Sequence, residues 1–133
     1  MKTELSLIVR PTEIDVNGHV NNAKYLEYLE WGREEWYEAN DLHYETLKSL
    51  GVQTVTVNIN INYRRECVQG DRLTVTTEPK SVGRSSFVLE QHIYNAEGLH
   101  CADALVTSVA MDSETRKSRP VPEELRRLFH AEA

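Results

Sequence analysis

The sequence predicts an α+β domain in which a mostly antiparallel sheet lies against one long helix. Three observations carry that prediction. From about residue 22 the large apolar side chains recur at helical spacing, and residues 55–63 alternate apolar and polar side chains. Further extended runs then follow with only short turns between them, as a meander requires. A chain of 133 residues suits one compact domain, so residues 1–133 are expected to fold together.

The elements follow in order. Leu5–Val9 is a short β-type run closed by Arg10–Pro11. The helix starts at about Asn22, and Tyr25, Tyr28, Leu29, Gly32 and Trp36 fall on one stripe, flanked by Leu26 and Tyr37. Glu27, Glu30, Arg33, Glu34 and Glu38 supply its wet face. Gly32 costs about 1 kcal/mol of helix propensity relative to Ala, so close packing on another element is its expected reason. A second, short helix is expected over Tyr44–Leu50, with Gly51 as its stop.

The period then changes. In VTVNININY, Val55, Val57, Ile59, Ile61 and Tyr63 share one face of a strand, and Thr56, Asn58, Asn60 and Asn62 share the other. Further strands are expected at Arg72–Thr77, Ser85–Tyr94 and Leu99–Met111, set off by VQGD, KSVGRS and NAEG. The last is small and apolar on both faces, as a strand inside the sheet would be. Near the C-terminus, Pro122 suits a first helical position, and acids followed by Arg126–Arg127 suit the dipole of a short helix.

Composition removes several function classes. Hydrophobic residues make up 40% of the chain, enough for a core. Its 15 basic and 21 acidic residues leave a net charge of −6, which weighs against nucleic acid as a partner. Clustered arginines can still meet a small anion against that balance. Two cysteines, Cys67 and Cys101, make neither a disulfide framework nor a zinc pattern. The sequence shows no charged-then-apolar leader and no apolar run of spanning length, so a cytoplasmic protein without a membrane partner is expected. His43, His92, His100 and His130 are scattered without ligand spacing, and no metal site is expected.

One stretch has more polar residues than its structure needs. Asp15, Asn17, Gly18, His19, Asn21 and Asn22 crowd in front of the only long helix, where one cap uses one or two of them. At that end the backbone N–H groups are unpaired and the dipole is positive, a place for developing negative charge. Gly18 lets a reactant approach the backbone. Asp15 can act as general base or nucleophile, and Asn17 or His19 can orient it or a water. A carboxylate, a polar positioning group and a helix N-terminus are the parts of a minimal acyl-transfer site.

The stretch DVNGHVNNAKYLEYLE resembles the helix start of hotdog-fold thioesterases. Its D-x-N-x-H-V-N-N form is similar to that of plant acyl-carrier-protein thioesterases and bacterial acyl-CoA thioesterases. VTVNININYRRECVQGDRLTV and ADALVTSVAMDSETRKSRPVPEELRRL extend the likeness over nearly the whole chain, most of all to the bacterial long-chain acyl-CoA thioesterase III type. The resemblance implies a hotdog fold, five antiparallel strands wrapped around one long central helix. It implies hydrolysis of acyl-CoA, or of an acyl-carrier-protein thioester, without a cofactor. It also implies homodimers joined edge to edge and assembled into homotetramers.

Residue by residue, the resemblance gives Asp15 the catalytic carboxylate and matches Asn17 and His19 to the Asn and His of the motif. Glu66 matches a Glu near the site in the plant enzymes. The Asn22 N–H corresponds to the donor that polarises the thioester carbonyl. VGRSS resembles a turn that approaches the nucleotide, which singles out Arg84 among Arg64, Arg65, Arg84, Lys117 and Arg119 as a phosphate contact. The aromatic stripe is most simply core, and Tyr25 is its candidate for the wall of an acyl tunnel. Cys67, beside Glu66, is expected to pack rather than react. Two other readings stay open: a hotdog dehydratase using His19 with Glu66, and a non-catalytic acyl-thioester binding module.

Overall fold

The structure is a computed structural model that describes residues 2–129; His130 lies outside the described residues. Five strands form one antiparallel sheet: β1 (Thr3–Ile8), β2 (Val52–Tyr63), β3 (Arg72–Val82), β4 (Ser86–Asn95) and β5 (His100–Asp112). Their order is β1-β3-β4-β5-β2, so β5 is interior and β1 and β2 are the two edges. The helices are α1 (Asn22–Ala39), α2 (Tyr44–Ser49) and α3 (Glu123–Arg126). Among the described residues no helix is long and apolar enough to cross a membrane.

The 18-residue α1 packs on β1 and β3 with the stripe read from the sequence: Tyr25, Tyr28, Leu29, Gly32 and Trp36 are buried. Gly32 is there for closeness. A Cβ added to it would stand 2.7 Å from Val75 Cγ1 and 3.1 Å from both Gln91 Nε2 and Thr77 Oγ1. The first half of α1 joins an apolar cluster with Val75, Ile93 and Val106. Trp36 joins a second cluster with Phe87, Leu89, Ala110 and Leu125, into which Phe129 stacks edge-on.

Three local expectations need correction. In β2 the register jumps from Thr56↔Ser108 to Asn58↔Thr107, so Val57 is the extra residue of a bulge and is 57% exposed. The bulge reverses side-chain parity. Ile59 and Ile61 face the core as expected, but before the bulge Thr54 and Thr56, not Val55, sit opposite the buried Ala110 and Ser108.

β3 runs on to Val82 instead of turning after Thr77. β1 pairs with β3 only as far as Thr3↔Thr77, so among the described residues β3 has no strand partner on that side at Pro79, which lacks an N–H to pair. Pro122, finally, is the cap before α3 (φ −65°, ψ 151°) and not its first helical residue.

Candidate active site

Asp15 opens a tight turn in front of α1. The Gly18 N–H donates to the Asp15 carbonyl at 3.1 Å, and the Asp15 N–H donates to the His19 carbonyl at 3.0 Å. The Asn17 N–H donates to Asp15 Oδ1 at 2.8 Å. Gly18 sits at φ +85°, a left-handed conformation that favours glycine, and an Ile14–Val20 bridge closes the base. Asn21 then caps the helix, its Oδ1 accepting the Ala23 N–H at 2.8 Å. Asn22 is therefore the first helical residue, with an N–H that has no partner within the helix.

A cavity of about 250 Å³ opens beside that helix end, with His19, Asn22, Tyr25, Tyr63, Arg65 and Glu66 in its wall. His19 Nε2 lies 3.7 Å from Glu66 Oε2. Tyr63 stacks edge-on to Tyr25 at 5.2 Å and donates its hydroxyl to the Asn22 carbonyl at 3.3 Å. The Tyr25 hydroxyl faces the Arg65 carbonyl at 3.4 Å. Burial, aided by the neighbouring Cys67 thiol, pushes the Tyr25 hydroxyl well above its ordinary pKa.

The cysteines behave as packing. Both are free and fully buried, and burial together with Cys67 pushes the Cys101 thiol up to about 12. Larger clefts lie elsewhere. One, of about 440 Å³, is bounded by α1, α2 and β2; another, of about 790 Å³, runs along β1 beside Trp31; a third, of about 370 Å³, lies along β1 and β3. None of the three is lined by the N-terminus of the long helix, as the smaller cavity is.

Of the residues named from the sequence, Asp15, Asn17 and Gly18 form the turn, and His19, Asn22, Tyr25 and Glu66 meet at the cavity. Arg84 is not brought to them. It lies in the β3–β4 turn, where its carbonyl accepts from the Val121 N–H and from Arg126 beside the second apolar cluster. Of the other arginines, Arg64 and Arg65 both line the cavity, and Arg64 also pairs with Asp103.

Sequence reasoning missed Glu13. It is 6% exposed, and its Oε1 accepts both the Tyr28 hydroxyl and the Arg10 N–H at 2.8 Å. The only signal in the chain was an acid three residues after Arg10 and two before Asp15. Strand pairing also gathers Glu78, Glu90 and His92 within 4.8 Å of one another, a grouping that spacing along the chain conceals. There Lys80 and His92 both bind Glu90.

A family model described as the thioesterase-like superfamily matches residues 9–129. The chain belongs to that family. It is 41% identical over 127 residues to the long-chain acyl-CoA thioesterase FadM of Escherichia coli K12, covering 95% of this chain and 94% of that one. It superposes on the crystal structure of YbaW, a probable thioesterase from Escherichia coli, with a TM-score of 0.79 and 37% identity. That match covers 97% of this chain and 96% of the other. A 1,4-dihydroxy-2-naphthoyl-CoA thioesterase from Synechocystis shares the fold at a TM-score of 0.88 and 21% identity, over 98% and 96% of the two chains. The five-stranded antiparallel α+β architecture is accordingly that of the hotdog thioesterases, and the chain is an enzyme of the thioesterase class.

Proposed function

We propose that this enzyme hydrolyses fatty acyl-CoA thioesters to free fatty acid and coenzyme A, with Asp15 as its catalytic carboxylate. The observation that carries this reading is the Asp15 turn directly ahead of the α1 N-terminus, bonded through its backbone to His19, which lines one cavity with Asn22 and Tyr25. The name of the Escherichia coli relative supports a long-chain acyl-CoA as the substrate class.

In the reaction the thioester carbonyl points at the helix start. The Asn22 N–H and the positive end of the dipole stabilise the oxyanion as it forms. Asp15 either takes a proton from the attacking water and passes it to the departing thiolate, or attacks the carbonyl itself to give a mixed anhydride that water then hydrolyses; in both routes the carbon–sulfur bond breaks as the oxyanion collapses. Asn17 and His19 orient Asp15 or the water, and Glu66, 3.7 Å from His19 Nε2, assists. Gly18 leaves room for the thioester. Tyr25 walls the acyl group.

Two chains complete the site. β2 is a 12-residue edge strand with β5 as its partner on one side, and pairing of two such edges would cover its open groups and build a sheet wrapped around two central helices. Pairs of dimers then form a cytoplasmic homotetramer, and Arg84 remains the candidate contact for the nucleotide phosphates.

The test is steady release of thiol from a long-chain acyl-CoA, read with a thiol-trapping dye, for the wild type and Asp15→Asn. Loss of release in Asp15→Asn is expected; unchanged release overturns the assignment. Single turnover in heavy-oxygen water separates the two roles, because a nucleophilic Asp15 takes up the label before the product does. The His19–Glu66 contact at 3.7 Å favours one competing reading, a dehydratase with a His–Glu proton relay. Enoyl absorbance from a 3-hydroxyacyl-CoA without thiol release would establish it instead.

A further inference from the structure

We infer that Glu13 and Tyr28 form a clamp that positions Asp15 against the N-terminus of α1. This rests on the proposed role of Asp15 and assigns work to a residue pair that never touches the substrate. Glu13 holds the root of the turn at three points. Its Oε1 accepts the Arg10 N–H, which ties the segment just after β1, and the Tyr28 hydroxyl, which ties the second turn of α1. Its backbone carbonyl accepts the Asn21 N–H at 3.0 Å, which ties the helix cap.

Asp15 stands two residues beyond this anchor, on a turn whose other arm is fixed where the Val20 N–H meets the Cys67 carbonyl at 2.8 Å. Tyr28 is fully buried and Glu13 nearly so. The bond between them links residues 15 positions apart and is shielded from water, so it resists competition by solvent. Tyr28 and Asn22 belong to one rigid helix. A shift in the Glu13–Tyr28 distance therefore moves the carboxylate relative to the N–H that receives the oxyanion.

The experiment measures kcat and KM for a long-chain acyl-CoA in Tyr28→Phe, Glu13→Gln and Glu13→Ala, each also in an Asp15→Asn background. Tyr28→Phe and Glu13→Ala are expected to lower kcat about tenfold with KM within about twofold, the signature of misplaced chemistry. Glu13→Gln keeps an oxygen able to accept both bonds and is expected to retain kcat within about twofold. In the Asp15→Asn background, with enzyme raised until the residual rate is readable, Tyr28→Phe should cause no further fall.

A wild-type kcat in a folded Tyr28→Phe overturns the clamp, and so does an equal proportional fall in both backgrounds, which marks a structural effect independent of Asp15. Melting temperatures establish that each variant is folded, and Tyr28→Phe, the mildest change, decides the matter if Glu13→Ala does not fold. Full activity in Asp15→Asn alone refutes the role of Asp15 and the clamp with it. An inactive Asp15→Asn beside a wild-type Tyr28→Phe refutes only the clamp.

Discussion

Gly32→Ala tests how tightly α1 sits on the sheet, and its sign is set by two opposed terms. Alanine gains up to about 1 kcal/mol of helix propensity over glycine. Against that, the new methyl would stand 2.7 Å from Val75 Cγ1, on a fully buried side chain whose branching at Cβ leaves it few rotamers. It would also press at 3.1 Å on Gln91 Nε2 and Thr77 Oγ1, which are hydrogen-bonded to each other, while Gln91 also bonds the Leu29 carbonyl. Overfilling a packed core costs about 1–3 kcal/mol, and here a buried polar network is disturbed as well, so the contact outweighs the propensity. The expected net loss is about 1–2 kcal/mol, read as a lower urea midpoint at unchanged slope and a melting temperature lower by about 3–8 °C. Combining it with Val75→Ala should recover part of the penalty, because the nearest methyl is gone. A Gly32→Ala protein as stable as the wild type would refute the close contact.

Three further outcomes are expected of this protein. Asn21→Ala removes the acceptor for the Ala23 N–H and should cost about 1 kcal/mol in urea unfolding, with kcat falling as the start of α1 frays. Glu90 lies below its ordinary value of 4.5, chiefly through its hydrogen bond with His92. At Asp103, burial acts to raise the carboxyl, but the hydrogen bonds from Arg64 and Asn62 outweigh it and hold it below 3.8. Depressed carboxylates contribute stability above their ordinary values and lose it as pH falls through the lowered ones. Thermal stability should therefore decline from pH 4.5 downward, less steeply in Glu90→Gln. Finally, a thiol reagent at mild alkaline pH should label neither Cys67 nor Cys101 in the native protein and both in urea, because both are buried and Cys101 is pushed up to about 12.

Elements with an uninterrupted period were legible in the chain, and the failures have specific causes. The α1 stripe and the Gly32 contact could be read because one face of one helix packs on one sheet. The Val57 bulge could not. VTVNININY alternates without a break in sequence, and the extra residue shows only in the pairing of β2 with β5. The turn from Asp15 to Gly18 was visible because its residues are local. Glu13 was not, since the acid becomes significant only when Tyr28, 15 residues away, folds back onto it. The grouping of Glu78, Glu90 and His92 was hidden for the same reason: cross-strand neighbours are set by register.

The placement of α1 shows why the site end of this helix carries so many polar contacts. Apolar burial drives the helix onto the sheet but is non-directional, so Tyr25, Leu29 and Val75 alone would allow it to slide or turn by a fraction of a residue. A donor for an oxyanion must be held within about 0.5 Å of its productive position. For the donor proposed at Asn22, four directional bonds would supply that constraint: Asn21 to the Ala23 N–H, Glu13 to the Tyr28 hydroxyl, Tyr63 to the Asn22 carbonyl and Gln91 to the Leu29 carbonyl. All four lie in the first half of α1 or just before it. In the second half, Trp36 rests in the cluster with Phe87 and Leu125, where the geometry of catalysis makes no demand. That half has a directional bond as well, from Arg33 to Gln91 Oε1 at 3.0 Å. Substitutions around Trp36 should act mainly on stability, whereas loss of any of the four bonds should act on kcat before it unfolds the protein.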